Sequence, residues 1–276
     1  MSLLWRDQVR IVLCPNRVIL ARLRKGWRRE VMDKQIVQCE TTDDTNWKAA
    51  MATLADVVKG VRWQNADAVL ILSNHFVRYL LVPWSDMVLS EDEQIALVSH
   101  HAAEIYGDAS TAWEYRISEG GMDAPWVASG VERALLNESR AIIEAAKLRL
   151  HSVQPYLMSA FNGWRREFNG DTQWFVLVEE GALCVMLLHE GQWRSVRVRR
   201  VGGNWLEETK LILKRESLLN DLPRSVRKIL LHAPEKINIV PPTRGRWSIS
   251  LLKPKLLPGV AQHETGQYAM ALAEVV

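Results

Sequence analysis

Between residues 10 and 38 the chain alternates apolar runs with short polar turns, and the same rhythm returns at 173–201. In the first stretch Ile11-Val12-Leu13 meets Cys14-Pro15-Asn16. Val18 to Arg24 follows, then Lys25-Gly26 with Trp27-Arg28 beyond, and a third strand-like run. In the second, Phe175 to Val178 meets Glu179-Glu180-Gly181. Ala182 to Met186 follows, closing on Glu190-Gly191-Gln192-Trp193-Arg194 and another strand-like run. Short apolar runs divided by Gly, Pro and Asn turns predict two three-stranded antiparallel meanders. In the second strand of the first meander, Val18, Leu20 and the aliphatic stems of Arg22 and Arg24 share one face, a half-buried pattern.

Between and after the meanders the period changes. Ala50, Leu54, Val57 and Val58 recur at helical spacing, with Asp44 or Thr45 as cap beyond a polar loop, Thr41–Asn46, and Gly60 as stop. Asp67–Leu72 is a continuous apolar run of the kind buried in a parallel sheet. Ser73-Asn74 turns the chain into a strand, His75–Val82, stopped by Pro83. Ser90-Glu91-Asp92-Glu93 is a capping box for a helix to Tyr106, ended by Gly107. Strands are expected at 113–117 and 126–130, a helix at about 132–150, a crossing between halves at 151–155, and a helix at 158–164. Past the second meander, Gly202-Gly203-Asn204 opens a helix to Leu219 with Leu206, Leu211, Leu213 and Leu218 as its apolar contacts. Asp221-Leu222-Pro223 breaks it. Arg227–His232 reads as a short buried strand, Pro241–Gly245 as a loop, 247–252 as a strand and 268–275 as a closing helix. The expected architecture is α/β, in two similar lobes of residues 1–152 and 153–276, with a cleft between them.

Composition narrows the chemistry. The 276 residues can bury a substantial core, and the net charge of +3, from 35 basic and 32 acidic side chains, does not argue for nucleic acid. No run approaches the ~20 apolar residues of a membrane span, and no signal peptide opens the chain. Three cysteines, Cys14, Cys39 and Cys184, have no metal-like spacing, which fits a reducing compartment without disulfides. The twelve tryptophans read first as packing; Trp27-Arg28-Arg29 and Trp164-Arg165-Arg166 also have the residue types that anchor partners. Arg194, Arg197, Arg199 and Arg200 make one strand basic, either a solvated face or a surface for an acidic partner or anionic lipid. His100 and Glu104 share a helix face, but the spacing supplies no further metal ligands. Nucleotide-binding glycine loops and nucleophile elbows are lacking.

Meander, helix, buried strand and helix, repeated once, resembles the actin-like superfamily, whose fold is ribonuclease H-like: duplicated lobes of mixed sheets flanked by helices. The two meanders, Gly202-Gly203-Asn204 and the terminal Tyr268-Ala269-Met270-Ala271-Leu272-Ala273 carry the resemblance. Within that superfamily the chain is similar to the PilM-like proteins of type IV pilus assembly and to the cytoplasmic domains of the type II secretion L components and their MshI-like relatives.

Active members hold ATP on two hairpins that begin Asp-x-Gly. Glycine lets the backbone approach the phosphates, its amides cradle them, and Asp holds the cation through water. Here Cys14-Pro15-Asn16 stands at the first hairpin, offering no hard oxygen ligand in Cys14 and no amide donor in Pro15. Glu179-Glu180-Gly181 stands at the second, read as a two-residue turn or as a residual metal site. Leu230-Leu231-His232-Ala233-Pro234 replaces the adenine-side Gly-Gly. The resemblance therefore implies a pseudo-ATPase scaffold without cofactor, cytoplasmic and peripheral at the inner membrane. Its partner would be the cytoplasmic tail of an inner-membrane assembly protein, with homo-oligomers also possible. Val276 closes the last expected helix, so that partner would supply the membrane anchor. Candidate contact residues are Trp27, Arg28, Arg194 and Arg197. An ATP-binding switch with an atypical phosphate loop is the alternative.

Overall fold

The computed structural model describes residues 6–26, 29–40, 47–84, 90–118, 123–223, 225–236, 246–255 and 257–273. In chain order the strands are β1 (Gln8–Leu13), β2 (Arg17–Arg24), β3 (Glu30–Gln38), β4 (Asp67–Leu72), β5 (Val77–Val82), β6 (Trp113–Ser118) and β7 (Trp126–Glu132). They continue with β8 (Arg149–Pro155), β9 (Gln173–Glu179), β10 (Ala182–His189), β11 (Gln192–Arg200), β12 (Lys228–His232) and β13 (Ser248–Leu251). The helices are α1 (Lys48–Val57), α2 (Glu91–Tyr106), α3 (Arg133–Ala145), α4 (Tyr156–Gly163), α5 (Trp205–Leu219) and α6 (Thr265–Leu272).

Two five-stranded sheets share one topology. Their orders are β3-β2-β1-β4-β8 and β11-β10-β9-β12-β13, and in each an antiparallel meander is extended by two parallel strands. A third sheet, β5-β7-β6, carries α2. The duplication reaches single residues. Ladder β2/β3 runs regularly from Arg17 to Arg22 and then skips Met32; ladder β10/β11 runs from Ala182 to Leu187 and then skips Arg194. A one-residue bulge therefore sits at the same step of both meanders, where it raises the local twist.

The first five-stranded sheet is buried on both faces at its centre. β4 is buried from end to end, as its apolar run requires. In β2, Val18 to Ala21 are all buried rather than alternating, because helices cover the sheet twice. α1 packs on β2 and against α3, with Ser139 Oγ 3.7 Å from Met51 Sδ. α6 packs on β1 and β2, where the Arg10 guanidinium donates to the Ala271 carbonyl at 3.4 Å.

Residues 151–155 are not a crossing but most of β8, parallel to β4. Arg149 clamps its start, donating to both Asp67 oxygens at 2.9 and 3.0 Å. That pairing holds the Asp67 carboxyl below its usual range despite burial. The outer edge of β3 is closed by the chain near its end. Val31 N–H donates to the Pro258 carbonyl at 2.9 Å, and Lys34 Nζ reaches the Gly259 carbonyl at 2.9 Å and Glu264 at 2.7 Å.

In the second five-stranded sheet the core joins Trp174, Val176, Leu183, Val185, Ile229 and Leu231 to Trp205, Ile212 and Leu213 of α5. Of the four leucines expected to make the apolar contacts of that helix, only Leu213 is buried. Leu206, Leu211 and Leu218 are 41%, 61% and 71% exposed. The sheet instead takes Trp205, Ile212 and the carboxylate of Glu216, which lie on one helical face. On α2 the expected capping box is present, with Ser90 and Glu93 exchanging side-chain-to-backbone bonds.

The chain forms two compact units. One comprises Met1–Val77, Arg133–Arg165 and Pro254–Val276, the other Arg78–Glu132 and Arg166–Lys253. The β5–β7 segment lies with the later strands, and α6 in the last segment packs on β1 and β2. The caps expected at Asp44 or Thr45 and the loop at 241–245 lie outside the described residues.

Candidate functional site

Strands β1, β4 and β8 run parallel, so Leu13, Leu72 and Pro155 finish at one edge of their sheet, the edge where α/β proteins gather ligands. The first hairpin turn, Cys14-Pro15-Asn16, lies there. It closes on itself: Cys14 N–H donates to the Arg17 carbonyl at 3.0 Å, and the Asn16 carbonyl accepts from Cys39 N–H at 2.7 Å. Cys14 and Pro15 are buried, and Cys14 Sγ sits 3.7 Å from Met270 Sδ on α6. A soft thiol facing a thioether inside the core is a packing contact. Beyond β4, Ser73, Asn74 and His75 are buried polar residues. Ser73 N–H donates to the Leu13 carbonyl at 3.0 Å, and Asn74 Oδ1 accepts from Leu157 N–H at 3.4 Å where α4 begins.

In the other unit, Glu179 and Ala182 pair across a two-residue turn made of Glu180 and Gly181. Gly181 has φ +74°, a conformation glycine adopts without strain. Glu179 is buried and Glu180 exposed. Behind the turn, burial pushes the Cys184 thiol well up, and the nearby Glu179 charge pushes it further. His232, at the end of β12 beside Leu177 of β9, is fully buried. Burial pulls its pKa down to about 3, against a hydrogen bond with the Leu252 backbone. A neutral buried imidazole brings no positive charge to a phosphate.

The other candidates separate. Trp27 and Arg28 lie outside the described residues. Trp164 is buried, with Arg165 and Arg166 exposed beside it. His100 and His101 both face Glu104, at 3.5 and 3.2 Å, on an exposed helix surface. No three His, Cys, Asp or Glu side chains among the described residues converge as metal ligands.

Arg194, Arg197, Arg199 and Arg200 are all exposed on β11. Arg197 Nε donates to Glu216 Oε1 at 2.9 Å, and Ser195 Oγ donates to the other oxygen of that buried carboxylate. Sequence alone missed Glu216 because an acid in a charged helix reads as solvated; only its phase, one turn from Ile212 and Leu213, hints at burial.

No protein-family model matches the chain, and no curated protein matches it significantly. Solved structures do. One is a chain of the PilM–PilN type IV pilus biogenesis complex, at TM-score 0.64 and 11% identity over 97% of this chain and 96% of that one. Another is the cytoplasmic domain of EpsL, an inner-membrane component of the Vibrio cholerae type II secretion system. It matches at TM-score 0.60 and 9% identity over 98% and 94%. A Bacteroides thetaiotaomicron protein with actin-like ATPase fold and unknown function follows at 0.57 and 10%, over 83% and 82%. The chain has the actin-like fold. At these identities the likeness is one of fold, and it covers nearly the whole of the pilus-complex chain and of the EpsL cytoplasmic domain. The duplicated five-stranded sheets of this actin-like protein are its structural signature. No described helix is long and apolar enough to cross a membrane.

Proposed function

We propose that this actin-like protein is a non-catalytic scaffold in a type IV pilus or type II secretion-like machine. It would work in the cytoplasm, peripheral at the inner membrane, holding the cytoplasmic tail of a membrane-embedded assembly protein. The observation that carries this reading is the first hairpin. Cys14 is turned into the core against Met270, and Pro15 withholds an amide. A phosphate loop at that position needs a hard oxygen for the cation and free amides for the phosphates. His232, buried and neutral where the resemblance expects an adenine-side Gly-Gly, supports the same conclusion. The likeness to a PilM–PilN complex chain and to the EpsL cytoplasmic domain suggests the class of machine. The two five-stranded sheets would descend from two copies of an ancestral duplication, with lobes 1–152 and 153–276 as the approximate extent of each copy.

A second reading has one specific observation in its favour. Glu179-Glu180-Gly181 keeps an acid and a left-handed glycine in the order of a phosphate hairpin. An ATP-binding switch would use it.

Thermal unfolding with and without millimolar ATP and magnesium separates the two. Saturating ligand at 100 times its dissociation constant stabilises a protein by about 2.7 kcal/mol, a plain rise in Tm. The scaffold reading expects no shift. A magnesium-dependent rise would overturn it and direct attention to Glu179.

A further inference from the structure

β3 and β11 are the same strand of a repeated design, each the outer member of a meander with its bulge at the same step. Their outer edges differ. β3 is closed by the segment around Pro258, and its Lys34 is neutralised by Glu264. β11 pairs on one side only, with β10, among the described residues. Arg194, Arg199 and Arg200 of β11 form no ion pair with any described residue, whereas Arg197 is held by Glu216. Nine residues of open, basic strand are left.

We propose that the outer edge of β11 binds an acidic, extended peptide by strand addition. This deepens the scaffold reading by naming the chemistry of one partner segment, and it rests on that reading only for its biological setting.

Strand geometry supplies the argument. Side chains alternate, so Ser195, Arg197 and Arg199 lie on the face that reaches Glu216, and Arg200 lies on the opposite face. Arg194, the bulge residue, is set apart from both rows. Positive charge therefore flanks the edge above and below the sheet. A flat lipid surface meets one face only, whereas an added strand places alternate side chains beside both. Unpaired edge strands invite pairing, and charge selects the guest. A second basic edge, including that of another copy, is repelled; an acidic strand gains opposite-charge neighbours at Arg199 and Arg200.

The probe is a fluorescent peptide of Glu-Glu-Val-Val repeats, which sets Glu on both faces of an added strand, long enough to span β11, followed by anisotropy and by hydrogen exchange. Binding is expected, with slower exchange confined to 192–200. The triple variant Arg194→Glu/Arg199→Glu/Arg200→Glu should weaken it by about tenfold or more. Reversing Arg165, Arg166 and Lys255 instead, an equal change of net charge, should leave it unchanged. The milder Arg199→Gln/Arg200→Gln pair repeats the test if the triple variant unfolds.

The proposal is overturned if the Lys-Val counterpart binds as well, if the triple variant binds like wild type, or if no peptide binds. It is also overturned if the Glu-Val peptide N-methylated along its backbone binds equally, since charge without strand pairing would then suffice. Arginine-dependent binding to phosphatidylglycerol vesicles without peptide binding would replace it with a membrane surface. Failure here leaves the scaffold reading standing, because that reading is tested by ATP. An ATP response removes the scaffold reading and leaves this assay readable.

Discussion

Gly259 faces Val31 at a distance that admits no side chain. A Cβ placed there would lie 2.0 Å from the Val31 carbonyl oxygen, and the backbone has φ +89°. Clash and left-handed conformation act together, so Gly259→Ala should destabilise the protein by about 2–4 kcal/mol. Urea unfolding should show a lower midpoint with an unchanged slope, and an unchanged midpoint would mean that this closure of β3 contributes nothing. The residue scale also separates what could be read in advance from what could not. Cys14-Pro15-Asn16 departs from a phosphate hairpin on its face, because thiol chemistry and a missing amide are properties of residue type. That Cys14 is packed on Met270 was not legible, since the two are 256 positions apart and both are ordinary core residues. Glu179 and Glu180 look alike in sequence; the first ends β9, which is buried along its whole length, and the second stands in the turn beyond it, in water.

At the scale of elements, the coupling between β11 and α5 runs through one buried carboxylate. Glu216 is 1% exposed and holds both Ser195 and Arg197, while the Arg197 side chain is half in solvent. Removing the arginine leaves a buried charge without its ion-pair partner; neutralising the acid leaves an arginine that water can solvate. Arg197→Ala should therefore cost about 2–3 kcal/mol and Glu216→Gln only about 1 kcal/mol, an asymmetry readable in denaturation midpoints. Equal costs would show that the pair is weakened by solvent on both sides. Elements were legible where the local period was strong. The apolar run Asp67–Leu72, the two meanders and the Ser90 capping box all fall where their patterns put them. β8 was hidden because Arg149, His151, Ser152 and Gln154 make a polar edge strand without the apolar signature of its neighbour β4. The leucines of α5 misled because apolar residues spread around a helix do not say which side meets the sheet.

For the whole molecule, acid should act first through His232. Burial depresses its pKa from 6.5 to about 3, so the unfolded chain binds that proton more readily than the folded one. The stabilisation is complete above pH 6.5 and is lost as pH falls towards 3, by at most about 1.4 kcal/mol per pH unit. The Asp67 carboxyl, held down chiefly by Arg149, begins to matter only near its usual 3.8 and below. Denaturation measured between pH 7.5 and 5 should thus show a falling midpoint that His232→Gln flattens; an unchanged slope in that variant would clear His232 of the effect. The repeated topology was visible in sequence as a repeated rhythm, but the return of residues 254–276 to the first unit was not, because nothing local in an Ala-rich helix names the sheet it will cover. That return has a consequence for synthesis. Ala271, which receives the Arg10 side chain, is 261 positions downstream. At roughly 5–20 residues per second, the ribosome takes on the order of 10–50 s to supply it. Until then β1 and β2 have left the exit tunnel with one apolar face uncovered, and the first sheet that the cell makes is among the last to be finished.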